Sequence, residues 1–204
     1  MLDVVSVLAL GASLDAIAQG TRAPRVPEVA IVGDQEARHL APRLADVVRA
    51  AGGKVEGTRT ATGAHLAALA ALARAEPGEG PDVLIVIGGN NGTPPRAVAA
   101  SMRQIRKRAG DPRRIVYVGP MPTRWGPINQ ARRATSAAMQ EAAGPRDVVI
   151  DSFDAVPNQA DPATWQAGGL GLTPAGYDLA AQRMAPAVVA AVSPLVASIC
   201  DWTP

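Results

Sequence analysis

Histidine and cysteine are nearly absent from this chain. Its 204 residues include one cysteine and two histidines. A lone cysteine, Cys200, excludes an internal disulfide framework and any cysteine-rich zinc site. Two histidines, His39 and His65, leave little room for a histidine metal cluster, and no metal or other cofactor is implied. Charge of one sign is also lacking. Twenty Lys+Arg stand against 18 Asp+Glu, a formal charge of +2, which by itself implies no nucleic-acid partner. No apolar run reaches the ~18 residues that a membrane span needs. What is present describes a folded α/β chain. Hydrophobic residues make up 48%, and 20 glycines and 18 prolines are spread along the sequence, which excludes a disordered or fibrous protein. The length suits one domain with a sizeable core and is short for two.

The first residues, MLDVVSVLALGASLDAIAQG, are apolar. They lack a basic lead-in and carry Asp3 before the run and Asp15 after it, which argues against an export signal. Residues 1–26 are therefore set apart as an apolar extension. It either covers the domain or docks on a partner through Val4, Val5, Leu8 and Ile17. Residues 27–196 form the domain proper, and 197–204 a tail.

From residue 27 strands and helices alternate. Glu28–Gly33 is a short apolar run ending in glycine, and Leu40, Leu44, Val47 and Val48 follow at helical spacing. Pro42 inside that stretch implies a kink or a helix start near it. Lys54–Gly57 reads as a short strand and His65–Arg74 as a helix bearing Leu66, Leu69 and Leu72 on one side. Asp82–Ile87 is apolar on both faces, as a central parallel strand requires. The spacing then predicts a helix over Arg96–Ala109, a strand at Arg114–Val118, a helix over Gln130–Ala143 and a strand at Asp147–Ile150. A last helix is capped by Thr173, with Pro174 at its first position, and runs towards Val192. Five strands alternating with helices imply a parallel sheet covered on both faces. Ligand sites in such sheets lie at the carboxyl ends of the strands. That directs attention to the loops 33–36, 57–63, 88–95, 119–129 and 151–173.

Those loops read Gly33-Asp34-Gln35-Glu36, then Gly57 to Gly63, then Gly88-Gly89-Asn90-Asn91-Gly92, and finally Gly168-Gly169-Leu170-Gly171-Leu172-Thr173-Pro174-Ala175-Gly176-Tyr177. In order and spacing they resemble the SGNH (GDSL-type) hydrolases, which include esterases, lipases and carbohydrate acetylesterases. The resemblance covers residues 27–192. It implies a flavodoxin-like, three-layer α/β/α sandwich with a five-stranded parallel sheet. It also implies acyl-transfer chemistry, in which a serine attacks, a histidine takes its proton and an aspartate orients the histidine. On that pattern Gly63 and Asn90 correspond to oxyanion-hole donors. The nucleophile position, however, holds Gln35, the aspartate position Gly168 and the histidine position Gly171. A carboxamide has no hydroxyl to activate, and glycine can neither accept a proton nor orient a base. No catalytic residue of the usual kind is left, so the expectation is an inactive domain that serves as a structural or binding module.

The alternative is an active carbohydrate O-acyl esterase that uses other residues. His39 and His65 are the candidate bases. Ser13, in Leu10-Gly11-Ala12-Ser13-Leu14, imitates a nucleophile motif but lacks its aspartate. Asp34, Glu36, Asp151 and Asp154 are carboxylates whose spacing fits capping and surface roles rather than a paired acid and base. Binding chemistry remains at the strand ends. Only 3% of the chain is aromatic, yet Trp125 and Trp165 fall on site-side loops. They read either as packing residues or as stacking platforms for a sugar, with Asp34, Gln35, Asn90, Asn91 and Arg124 as polar partners. Arg103, Arg106, Lys107, Arg108, Arg113 and Arg114 straddle a helix end and read as a solvated face, with nucleic acid disfavoured. The expected partners are protein subunits of an assembly such as a phage particle or a surface complex, and a glycan.

Overall fold

The computed structural model describes residues 26–75, 79–156, 164–166 and 169–200, with side chains of the last helix described as far as 195. In chain order the elements are β1 (Glu28–Gly33), α1 (Ala37–Ala50), β2 (Lys54–Thr60), a 3-10 turn (Leu66–Ala68), α2 (Leu69–Leu72) and β3 (Val83–Ile87). They continue with α3 (Pro95–Arg108), β4 (Arg114–Val118), α4 (Gly126–Ala142), β5 (Asp147–Ile150), α5 (Ser152–Ala155) and α6 (Pro174–Cys200). All strand pairs are parallel, and the sheet order is β2-β1-β3-β4-β5. This is the flavodoxin-like order. The chain turns back on itself between β1 and β3, where the loops leaving the two strands part and open a crevice.

Alternate residues of each strand serve the two faces. Val29, Ile31, Ile85, Ile87, Val116 and Val118 pack against Leu40 and Leu44 of α1 and against Tyr177, Met184 and Val188 of α6. Val32, Leu84, Val86, Ile115 and Tyr117 pack on the opposite side against Leu66, Leu69, Val98, Met102, Ile105 and Met139. Every residue of β3 is buried, which matches its unbroken apolar sequence.

Several boundaries differ from the sequence expectation, each for a local reason. Strand β2 extends to Thr60 rather than ending at Gly57. It is an edge strand, mostly exposed along its length, so no alternation marks its end. Helix α1 begins at Ala37, one turn ahead of Pro42, which lies inside it. Residues 66–72 form a 3-10 turn followed by one α-helical turn, not a continuous helix to Arg74. Helix α4 begins at Gly126, because Pro127 in its first turn is already set for helical φ. Helix α6 passes Val192 despite Pro186 and Pro194, both of which are exposed. Pro194 deprives the Ala190 carbonyl of its helical partner, and Arg114 donates to that oxygen at 3.4 Å. Residues 1–25, including Ser13, and the tail beyond 200 lie outside the described residues.

The basic run sits where the sequence suggested, in the last turn of α3 and the strand that follows. Arg106 bridges Asp111 at 2.8 Å and also pairs with Asp147. No described helix is long and apolar enough to cross a membrane.

One glycine is fixed by close approach. A Cβ on Gly33 would lie 2.5 Å from the Ile87 carbonyl oxygen and 2.5 Å from the Ala37 Cβ, whereas one on Gly57 would meet nothing within 4 Å. Gly33→Ala is therefore expected to cost about 1–3 kcal/mol of unfolding free energy. Gly57→Ala should stay within about 0.5 kcal/mol. Urea titration of the two variants beside the parent checks both.

Candidate functional site

The crevice is organised by the residue that follows β1. The Asp34 amide donates to the Ile87 carbonyl at 3.0 Å, continuing the β1–β3 ladder by one residue and turning the side chain inward. Asp34 is wholly buried. Its Oδ1 accepts from the Glu36 amide at 3.0 Å. Its Oδ2 accepts from Asn90 Nδ2 at 2.8 Å and from Asn91 Nδ2 at 3.4 Å. The end of β1 is thereby tied to the end of β3. Asn90 extends the tie to the loop after β4, where the Met121 amide donates to its Oδ1 at 2.8 Å. Gly89 takes φ +99, so the Gly-Gly pair ahead of Asn90 makes a turn that a side chain would strain.

Gln35 points its amide oxygen at the second loop. Gln35 Oε1 accepts from the Gly63 amide at 3.1 Å and from Asn91 Nδ2 at 3.4 Å. Asn91 Nδ2 also donates to the Ala64 carbonyl at 3.0 Å. The residues matched to the oxyanion hole thus stand at this crevice, with different duties. Gly63 donates to Gln35, and Asn90 to Asp34.

Below Gln35 lies a charged layer that sequence reasoning did not find. Glu36 is buried, and the Tyr177 hydroxyl donates to its Oε2. Arg132 of α4 is also buried. It donates to the Met121 carbonyl at 2.5 Å and to the Asn90 carbonyl at 3.5 Å, while its Nε has no partner among the described residues. Burial raises the Asp34 carboxyl from its ordinary value to about 6, against the lowering effect of its bonds to Asn90 and the Glu36 amide. Burial raises Glu36 too, while the Tyr177 hydroxyl and the charge of Arg132 pull it down. Burial lowers Arg132, and both carboxylates oppose that shift. One cation therefore serves two buried acids. The expectation that Asp34 and Glu36 play surface roles is corrected accordingly, whereas Asp151 does cap α5, accepting from the Phe153 amide at 2.9 Å.

At the rim, Thr123 and Asn129 fix the loop before α4. The Thr123 amide donates to Asn129 Oδ1 at 2.7 Å, Asn129 Nδ2 returns a bond to the Thr123 carbonyl at 2.7 Å, and the Trp125 amide donates to Thr123 Oγ1 at 3.0 Å. Trp125 is 55% exposed. The Arg124 amide donates to the Gly169 carbonyl at 3.0 Å, and its aliphatic stem lies over Gly169. Trp165 is 5% exposed and belongs to the core beside α6. Its place as a stacking platform is corrected to packing, because a ring covered by the core offers no face to a sugar.

Gly171 lies next to Tyr177. A Cβ there would be 3.7 Å from the Tyr177 hydroxyl and 3.5 Å from Gln166 Oε1, which is ordinary contact. Gly168 lies outside the described residues. Both histidines hold structural contacts. His65 Nδ1 accepts from the Ala68 amide at 3.3 Å as the N-cap of the 3-10 turn, and His39 stacks on Tyr177 with ring centroids 4.9 Å apart. Among the described residues no group of histidines, cysteines and carboxylates is arranged to hold a metal ion.

No family model and no curated protein matches the sequence. Solved structures do match the fold. A mutant acetyl esterase with an acetate ion superposes with TM-score 0.61 at 16% identity, covering 83% of this chain and 100% of that one. The fold is that of the SGNH hydrolases. A carbohydrate esterase family 3 protein from Talaromyces cellulolyticus gives 0.58 at 15%, covering 87% and 100% of the two chains. The C-terminal catalytic domain of the peptidoglycan O-acetyltransferase from Streptococcus pneumoniae gives 0.57 at 15%, covering 81% and 94%. On this SGNH-type scaffold the flavodoxin-like sheet and the strand-end crevice agree with the sequence expectation.

The raised Asp34 fixes a sign. At low pH both folded and unfolded chains carry the proton. Between about pH 4 and about pH 6 the unfolded chain has lost it and the folded chain still holds it, so stability falls as pH rises through that window. The fall from this group is on the order of 3 kcal/mol and is complete above about pH 6. Unfolding free energies measured across this range should show the decline in the parent and a flatter profile in Asp34→Asn.

Proposed function

We propose that this chain is a catalytically inactive SGNH-hydrolase-like domain that serves as a binding or structural module. The observation that carries the reading is Gln35. A carboxamide that accepts from Gly63 and Asn91 stands where the resemblance places the nucleophile, and it offers no hydroxyl to activate. Gly171 at the base position supports the same conclusion, since glycine carries no titratable group. The buried carboxylates do not replace the triad. Both Asp34 oxygens are engaged by donors, and Glu36 is held by Tyr177.

The ligand class proposed is a glycan, seated on the rim formed by exposed Trp125 and Arg124, with Asn91 at the crevice. An exposed tryptophan suits stacking on a sugar ring. The names of two similar structures, a carbohydrate esterase and a peptidoglycan O-acetyltransferase, point in the same direction. The wider setting proposed is an assembly of protein subunits such as a phage particle, in which residues 1–26 dock. The competing reading, an O-acyl esterase with unusual residues, would need a base near Gln35; His65 Nδ1 is taken up as an N-cap, and the His39 ring is stacked on Tyr177.

Hydrolysis of p-nitrophenyl acetate by the purified chain should equal the buffer rate. Turnover well above it that disappears in His65→Ala or Asp34→Asn would overturn the inactive reading. A glycan array should return a binder, and Trp125→Ala should lose that signal while Trp165→Phe retains it. Absence of any binder would remove the sugar site.

A further inference from the structure

The Gln35 side chain can be oriented without ambiguity. A backbone amide can only donate, so the atom facing the Gly63 N–H at 3.1 Å is the carboxamide oxygen, and the NH2 group faces away. The same oxygen receives Asn91 Nδ2 at 3.4 Å. Two donors from different loops thus converge on one carbonyl oxygen. Gly63 adopts φ +74, left-handed backbone that favours glycine. Asn91 Nδ2 carries two hydrogens for three acceptors: one goes to the Ala64 carbonyl at 3.0 Å, and the other is shared between Gln35 Oε1 and Asp34 Oδ2, each at 3.4 Å. The Gly63 amide is thus the principal donor to Gln35 and Asn91 a shared one, and the carbonyl they meet belongs to the chain itself.

We infer that Gln35 is a built-in occupant of a small carbonyl-binding cradle, a latch that fills the Gly63–Asn91 donor pair and excludes external ligands of the same chemistry. The ligand class excluded is a short carboxylate or acyl carbonyl, whose oxygen would need the same two donors. The latch also joins three strand-end loops, those after β1, β2 and β3, through one side chain. The native chain then binds no acetate at this point, and shortening Gln35 creates a carboxylate site. This deepens the reading of the crevice as inactive and rests on it.

The test is amide-resolved NMR on the full chain, with acetate as probe. In the parent, the Gly63 amide should exchange about tenfold more slowly than an unprotected amide, although Gly63 is exposed, because it is hydrogen-bonded to Gln35. Acetate should leave its resonance unmoved. In Gln35→Ala, acetate should shift the Gly63 resonance saturably. In Gln35→Glu, whose carboxylate can still accept from Gly63, acetate should again be silent. An unprotected Gly63 amide in the parent overturns the latch, and this measurement needs no variant to fold. Equal acetate response in parent and Gln35→Ala also overturns it, as does a folded Gln35→Ala that ignores acetate. Ester turnover by the parent would sink the inactive reading on a separate readout and leave the amide measurements to judge the latch.

Discussion

A carboxylate with no exposure to water stands at the end of β1, and the geometry of the crevice depends on it. Asp34 accepts from three donors, one on its own loop and two on the loop after β3. Left without them, a buried carboxylate would cost several kcal/mol, so each donor is held in place by the penalty of leaving it. Asn90 in turn holds Met121, and Arg132 grips the carbonyls of both. The strand ends are thus fixed relative to one another by a polar network, while the aliphatic layers above and below the sheet supply the bulk of the burial.

This network runs through the residues that carry the resemblance in sequence. The residues that agree with the SGNH pattern, Gly33-Asp34, Gly88-Gly89-Asn90 and the Thr173–Tyr177 stretch, are those that turn, cap or pack. Thr173 accepts from the Gly176 amide at 3.1 Å at the start of α6, and Tyr177 reaches Glu36 across the crevice. Of the positions that differ, Gln35 adds bonds of its own to Gly63 and Asn91, whereas Gly171 brings no side chain to the network.

The strands were legible to the degree that burial imposed a pattern. β3 is apolar throughout because both faces are covered, and its bounds were readable to within a residue. β2 was readable at its start and not at its end, because an edge strand open to solvent carries no period. The crevice was readable where glycines and asparagines make turns, since backbone geometry limits the residue choice there. Its charged floor was not. Glu36 and Arg132 look like surface residues in any local window, and the phenol that meets Glu36 is 141 positions away. Tryptophans at loop positions gave no hint of which was covered, because the burial of Trp165 depends on α6 and on its bridge to Leu172.

The two helical layers are unequal. On one face α1 and α6 lie along the sheet. On the other, the described residues between β2 and β3 contribute a 3-10 turn and the single turn of α2, and a cleft of about 380 Å³ lies beside Ala30 and Gly57. Arg59 spans that cleft to cap the carbonyls of Leu72 and Arg74. Leu66 and Leu69 anchor this margin to the core, while β2 beside it is mostly exposed. The second loop, with Gly63, grows out of that margin. That edge of the sheet is thus moored at its tip by side chains from two neighbouring strand ends, Gln35 on the Gly63 amide and Asn91 on the Ala64 carbonyl.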